Sequence, residues 1–335
     1  MLLTDLSDHS DLLGLDPSVA LVLLGITLAL CGATAFRGIL VVRCPGDGRR
    51  RGWRSLATWW LLHGLFVTLV VLGRPAVFLA LVAVSLLALH EALRLVSKPG
   101  LFLPLAVVGG GLYLWGWLDW TLVFTRVLPP LLVLLLLPAL LEATRLVLSP
   151  GSSLSGVCLA FLAAVLGLSF LAGAASLPSP PGLPGSPEGW LVLLVVLTEF
   201  NDMAQAWWGR SLGSRAMAPT LSPSKTWEGL LGGVASTVTL AVLLAPLLTP
   251  YGRLPPPTPG GMGPSWLWSA GLGLLLALAG TAGDLTASML KRRGGVKDSG
   301  RLLPAHGGIL DRFDSLTLTS PVFFLVTYGL WIRPS

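Results

Sequence analysis

The sequence predicts an all-α fold, a polytopic transmembrane helical bundle of about ten spans with both termini outside. Three observations carry that reading. Of 335 residues, 53% are hydrophobic and only 11% are charged, with a mean hydropathy of +0.79. The apolar residues come in long runs, such as 19–36, which holds no charge. The basic residues collect in the gaps between those runs. Ordinary soluble domains carry about 25% charged residues, so this chain has too few to coat a soluble surface of its length.

In chain order the expected spans centre on 19–36, 55–73, 76–90, 101–118, 122–141, 156–176, 190–206, 230–248, 267–283 and 316–332. Each approaches the length needed to cross the hydrocarbon core as a helix, and 76–90 is the shortest. Strands are excluded because open ones leave backbone groups unsatisfied in lipid, and the alternating pattern of a barrel is absent. Before the first run stand Asp5, Asp8, Asp11 and Asp16 with no Lys or Arg. A signal peptide needs a basic start, so the first run is expected to be retained.

The gaps test this order. Arg37, Arg43, Arg49, Arg50, Arg51 and Arg54 fall in one gap, and Arg94 with Lys98 in the next gap but one. Arg145, then Arg210, Arg215 and Lys225, then Lys291, Arg292, Arg293, Lys297, Arg301 and Arg312 continue the same alternate set. Those eighteen face only Arg74, Arg253 and Arg333 on the other side, with Arg126 inside a span. So one-sided a split assigns the first set to the cytoplasm. It also explains the net charge of +6 without a nucleic-acid partner. Cys31, Cys44 and Cys158 are odd in number and far apart, so they form neither a disulfide framework nor a metal cluster.

Residues 1–189 read as N-terminal transmembrane helices, and 190–335 as a catalytic transmembrane region with cytoplasmic loops 199–229 and 284–315. Stretches 178–187 and 254–264, rich in Pro and Gly, read as connectors. Gly109-Gly110-Gly111 and Gly232-Gly233 suit close helix packing. His63 and His90, in apolar context, are expected as satisfied core side chains.

The chemistry concentrates in the two loops of the second half. They hold Glu199, Asp202, Glu228, Asp284, Asp298, Asp311 and Asp314, seven of the sixteen acids in the chain. Acids at the end of a span are costly unless paired or coordinating a cation, which makes functional use the default. Asp284, Ser288 and Lys291 stand at i, i+4 and i+7, so a helix continuing from the ninth span puts them on one face. A carboxylate, a hydroxyl and an ammonium in that order suit a metal-bound polyphosphate, with Asp on Mg²⁺ and the others on phosphate oxygens. His306-Gly307-Gly308 offers backbone that can approach a ligand closely. Asp311 and Asp314 follow, and two carboxylates from different helices are what a phosphoryl-transfer metal site needs.

The ordered string from Gly283 to Ser315 resembles the C-terminal signature of phosphatidate cytidylyltransferases, the CDP-diacylglycerol synthases. That pattern is S-x-x-K-R, four residues, K-D-[ST]-G, then P-x-H-G-G-x-x-D-R-x-D-S, and every fixed position is met between Ser288 and Ser315. Ser222-Pro-Ser-Lys-Thr-Trp-Glu-Gly229 is similar to the family's S-P-x-K-T-x-E-G element. The resemblance covers about 199–335, and the first half matches only in being hydrophobic. Ala287 stands where many members have Glu, and Ala305 where Gly is usual.

The resemblance implies transfer of CMP from CTP to phosphatidic acid, with Mg²⁺ as cofactor and pyrophosphate released. By position, Asp284 and Asp311 would be the metal-binding carboxylates, and Ser288, Lys291, Lys297 and Asp298 would complete the catalytic set. Ser222, Lys225, Thr226, Arg292, His306, Gly307, Gly308, Arg312 and Asp314 would contact substrate. Membrane lipids are then partners, a homodimer is compatible, and a bacterial inner membrane is the expected location. Phosphatidate is expected to reach the site sideways from the bilayer, through a groove between spans. A CTP-dependent polyprenol or phytol kinase is the enzymatic alternative. A transporter is the other, although transport sites lie near the membrane midplane rather than at one face.

Overall fold

The structure, a computed structural model, describes residues 15–43, 48–131, 133, 153–178, 186–251, 264–300 and 307–332. It is an all-α membrane bundle. Helices α1 (Pro17–Arg43), α2 (Gly48–Leu72), α3 (Arg74–Leu95) and α4 (Phe102–Leu118) come first. A short α5 (Trp120–Leu122) widens into a π turn at Val123–Val127. Helix α6 runs from Ser153–Phe161 through a π turn, Leu162–Leu166, to Gly167–Ala174. Then come α7 (Pro187–Leu212), a hairpin of β1 (Ala216–Ala218) and β2 (Ser222–Thr226), α8 (Trp227–Leu248) and α9 (Ser265–Arg293). A single turn, α10 (Leu310–Phe313), leads into α11 (Leu316–Thr327).

Seven of these helices are long and apolar enough to cross a membrane. The expected 76–90 span lies within the 22-residue α3, so it is a full-length helix. Of the other expected spans, 122–141 runs beyond the described residues. That at 190–206 lies in α7, whose apolar face is broken by Glu199, Asn201 and Asp202. The last is represented by the shorter apolar stretch Leu316–Trp331.

Burial ranks the helices. Within the bundle 89% of the α6 span is buried, against 17% for α1 and for the α4 span. α6 is therefore the central post, and the first helices turn most of their apolar surface outward, as lipid-facing helices do. Phe124, Phe170 and Phe324 meet at ring separations of 5.3–5.8 Å and fasten the α5 region, α6 and α11 together. Gly167 lets α6 approach the Thr317 carbonyl of α11, where any side chain would collide with backbone.

The glycine runs divide. A Cβ on Gly232 or Gly233 would strike Trp208 or Gln205, so both permit the close approach of α8 to α7. Of the earlier run only Gly109 is tightly packed, against Val165, while Gly110 and Gly111 face open space. His63 is satisfied as expected, its Nε2 2.8 Å from Thr27 Oγ1. His90 is not a core residue: it is exposed, edge-on to Phe102 at 5.3 Å, because the last turns of α3 turn the neighbouring Glu91 inward instead.

Candidate active site

Local sequence explains how the hairpin side is built. Thr226 has extended backbone and accepts from Gly229 N–H at 3.1 Å, which starts α8 as an N-cap. Glu228, in the first turn, accepts from Ser214 N–H, Ser214 Oγ and Arg215 N–H at 2.6–3.2 Å. That carboxylate ties the start of the hairpin to the start of the helix. Register pairs Ala216 with Thr226 and Ala218 with Ser222, and Lys225 is thereby carried to the end of α9. Its Nζ lies 2.6 Å from Asp284 Oδ2.

On α9 the expected face is present. Ser288 Oγ lies 3.4 Å from Asp284 Oδ1, and Lys291 follows one turn later. Lys291 Nζ reaches Asp311 Oδ1 at 2.9 Å and Asp314 Oδ2 at 4.0 Å. Lysine and arginine at 291–293 also complement the C-terminal end of the helix dipole. Behind this row α7 supplies Asp202, which accepts from Ser315 Oγ at 2.5 Å. Nearby, Asn201 and Gln205 bond α9 through the Ala277 carbonyl and Thr281 Oγ1.

Asp311 has protein partners on both of its carboxylate oxygens. Its Oδ2 accepts from Ser299 N–H at 2.7 Å, Gly308 N–H at 2.9 Å and Ser299 Oγ at 3.0 Å, while Oδ1 takes Lys291. Burial would raise its pKa, but Lys291 and the two backbone donors hold it below the usual carboxylate range. With both oxygens engaged, Asp311 fixes the loop. Asp314 is the opposite case. Burial, and then the carboxylates of Asp284 and Asp202, push its pKa well above the ordinary value. Three acids from α7, α9 and the start of α11 thus repel one another at one spot, and a divalent cation would relieve that repulsion. Among the described residues no three His, Cys, Asp or Glu side chains form a complete cage. Mg²⁺ does not need one, because it keeps several waters and uses one or two carboxylates plus substrate phosphates. Asp284 with Asp314 would suit that donor set, and Asp311 is a further carboxylate on Lys291.

The two glycines pack closely as well. Gly307 has φ +81°, a left-handed conformation that favours glycine. A Cβ there would run into the Asp311 carboxylate, and one on Gly308 into Glu91. Their close approach is to the protein's own carboxylates. His306 lies outside the described residues.

Not every expected residue joins the cluster. Lys297 and Asp298 are exposed on the turn after α9, and neither makes an ion pair among the described residues. Arg292 Nε instead donates to the Leu221 carbonyl at 3.1 Å, pinning the hairpin to the helix end. Ser222 opens β2 and Thr226 caps α8. Arg312 lies within electrostatic reach of Glu199 and Asp202, and its Nε is buried without a hydrogen-bond partner among the described residues. One residue absent from the expected set is prominent: Glu91 of α3, 7% exposed, bonds Ser299 Oγ, Ile309 N–H and Leu310 N–H at 2.8–3.1 Å. The signal that could have found it is an acid at the end of an apolar run.

A groove lies elsewhere. It has a volume of about 360 Å³ and runs between α3 and α4, with Phe78, Val82, Tyr113 and Trp117 in its wall. Arg74 stacks on Trp117 at 4.9 Å near its mouth. At 1.5 Å per helical residue, Arg74 sits about 25 Å along α3 from Glu91.

Residues 53–330 match the cytidylyltransferase family. The match begins far upstream of 199, so the first half shares more than hydrophobicity with that family. An uncharacterized protein, YnbB, of Escherichia coli K12 is 36% identical over 303 residues, 87% of this chain and 92% of its own length. A phosphatidate cytidylyltransferase of Mycobacterium bovis is 32% identical over 289 residues, 82% of this chain and 88% of its own. One from Brucella melitensis biotype 1 is 42% identical over 135 residues, covering 40% of this chain and 45% of its own.

Proposed function

The chain belongs to the cytidylyltransferase family, and from that premise we propose that this membrane nucleotidyltransferase moves CMP from CTP to phosphatidate. The products are CDP-diacylglycerol and pyrophosphate. A non-bridging phosphate oxygen of phosphatidate attacks the α-phosphorus of CTP. The bond to the β-phosphate oxygen breaks, and its electron pair leaves with pyrophosphate. The attacking phosphate needs no covalent help from the protein, so the protein's share is positioning and charge neutralisation.

The observation that carries this reading is the meeting of two lysine–aspartate pairs from separate segments at one end of the bundle. Lys225 stands on Asp284, and Lys291 on Asp311. Lys225 exchanges its carboxylate for a phosphate oxygen when nucleotide arrives. Lys291, held in place from behind, presents its charge to the same polyphosphate. Ser288 donates its hydroxyl to a phosphate oxygen from the same helix face. Asp284 and Asp314 would hold Mg²⁺, with Asp202 behind them. When bound, the ion would supply positive charge against the phosphates. The distribution of Lys and Arg supports a cytoplasmic active site, and the bacterial relatives support a bacterial inner membrane.

The leaving group tests the reading. Purified protein with CTP, Mg²⁺ and phosphatidate should release one pyrophosphate per lipid consumed. Release of CDP, with an alcohol lipid phosphorylated, would select the kinase reaction instead. No turnover with phosphatidate would overturn the proposal.

A further inference from the structure

We propose that Glu91 is a positioning residue for this reaction, through which α3 sets the Lys291–Asp311 pair by way of Ser299. The argument begins with the cost of the carboxylate. Glu91 is 7% exposed at the end of an apolar helix, where an unpaired acid is expensive. Among the described residues no cation pairs with it. Instead three donors converge on it: Ile309 N–H on Oε1 at 3.0 Å, and Leu310 N–H and Ser299 Oγ on Oε2 at 3.1 and 2.8 Å. All three belong to the segments that frame Asp311.

Ser299 is the joint. Its hydroxyl carries one proton, yet it lies 2.8 Å from Glu91 Oε2 and 3.0 Å from Asp311 Oδ2. Its backbone N–H is committed to Asp311 at 2.7 Å. The line Glu91, Ser299, Asp311, Lys291 therefore runs unbroken from the N-terminal helices to the ammonium that faces substrate. Gly300 and Gly308 leave the room it needs, since a Cβ on either would meet the Glu91 carboxylate. A second tie between the halves, Arg293 Nη1 to Ser155 Oγ at 3.2 Å, holds the end of α9 against α6. α9 is thus anchored directly, whereas the loop that carries Asp311 depends on Glu91. Removing Glu91 should loosen Asp311, and with it Lys291, while leaving the helices in place.

Three variants, Glu91→Ala, Glu91→Gln and Ser299→Ala, test this on the full-length protein in lipid nanodiscs. Hydrogen exchange is read first, without substrate, and does not depend on the identity of the acceptor lipid. In Glu91→Ala the amides of Ile309 and Leu310 should exchange at least tenfold faster, with those of α7 and α8 unchanged. Steady-state kinetics with CTP and phosphatidate then rest on the reading above. There kcat should fall more than tenfold with the KM for CTP within about twofold, the signature of a group that acts in the transition state. Glu91→Gln, which keeps the shape and one acceptor oxygen, should recover part of kcat. The Glu91→Ala/Ser299→Ala double variant should be no worse than Glu91→Ala alone.

Unchanged exchange at Ile309 and Leu310, or a wild-type kcat in Glu91→Ala, would overturn the proposal. Should Glu91→Ala fail to fold, Ser299→Ala decides. A lowered kcat with an unchanged melting temperature supports the line through the hydroxyl, and a normal kcat refutes it. An inactive wild-type protein would count against phosphatidate as acceptor, an outcome separate from either exchange result.

Discussion

The two lysines of the site are held in unlike ways. Lys225 rides on a short hairpin and meets one carboxylate, in a pair whose side chains are 16% and 25% exposed. Lys291 projects from a 29-residue helix onto a carboxylate that three further hydrogen bonds already fix, and that pair is 12% and 9% exposed. The more accessible pair, with one contact to lose, opens to a phosphate at the smaller cost. A buried pair wired into a network cannot open cheaply, because one charge would be left without a partner. One lysine is poised to change partner, and the other sets the geometry around which that change occurs.

The largest effect tests what the two pairs share. Asp284 faces Lys225 directly and is felt by Lys291 and Asp314. Asp284→Asn should lower turnover by about 10³-fold, the scale on which preorganised electrostatic groups act, with the bundle still folded. Near-normal turnover at saturating Mg²⁺ would remove Asp284 from the site. Next in size is the contrast itself. Lys291→Ala strands Asp311 beside Asp314 and should cost about 3–5 kcal/mol of stability along with activity. Lys225→Ala should lower activity while shifting stability by less than about 1 kcal/mol. Unfolding followed in mixed micelles would dissolve the comparison if the two variants lost stability equally.

Smaller effects sharpen it. Gly307→Ala forces a side chain into a left-handed conformation and towards Asp311, and should cost about 1–2 kcal/mol, raised by any displacement of the carboxylate. Thr226→Ala removes only the cap of α8 and should cost about 1 kcal/mol. A melting curve would place that loss beside a modest change in activity, because Lys225 stays on its strand.

Much of this could be read from sequence because it is local. Hydropathy runs give helices wherever lipid is the solvent. The i, i+4, i+7 spacing of Asp284, Ser288 and Lys291 becomes one helix face without further information. What was hidden depends on distance along the chain. Glu91 meets Ser299 across 208 positions, and no local pattern joins an acid in an apolar helix to a loop so far downstream. The surroundings of Gly307 and Gly308 are hidden for the same reason. Their small size announces a close approach, but not that the approaching groups are Asp311 and Glu91. Asp314 and Asp202 likewise gain their weight only when α7, α9 and α11 converge.

The measurement that bears most directly on the account follows the α-phosphorus of CTP. With protein, Mg²⁺, phosphatidate and CTP labelled at that atom, the account predicts that label enters the organic-soluble lipid, and that Asp284→Asn prevents it. Label remaining in soluble nucleotide while wild-type protein consumes CTP and lipid would contradict it.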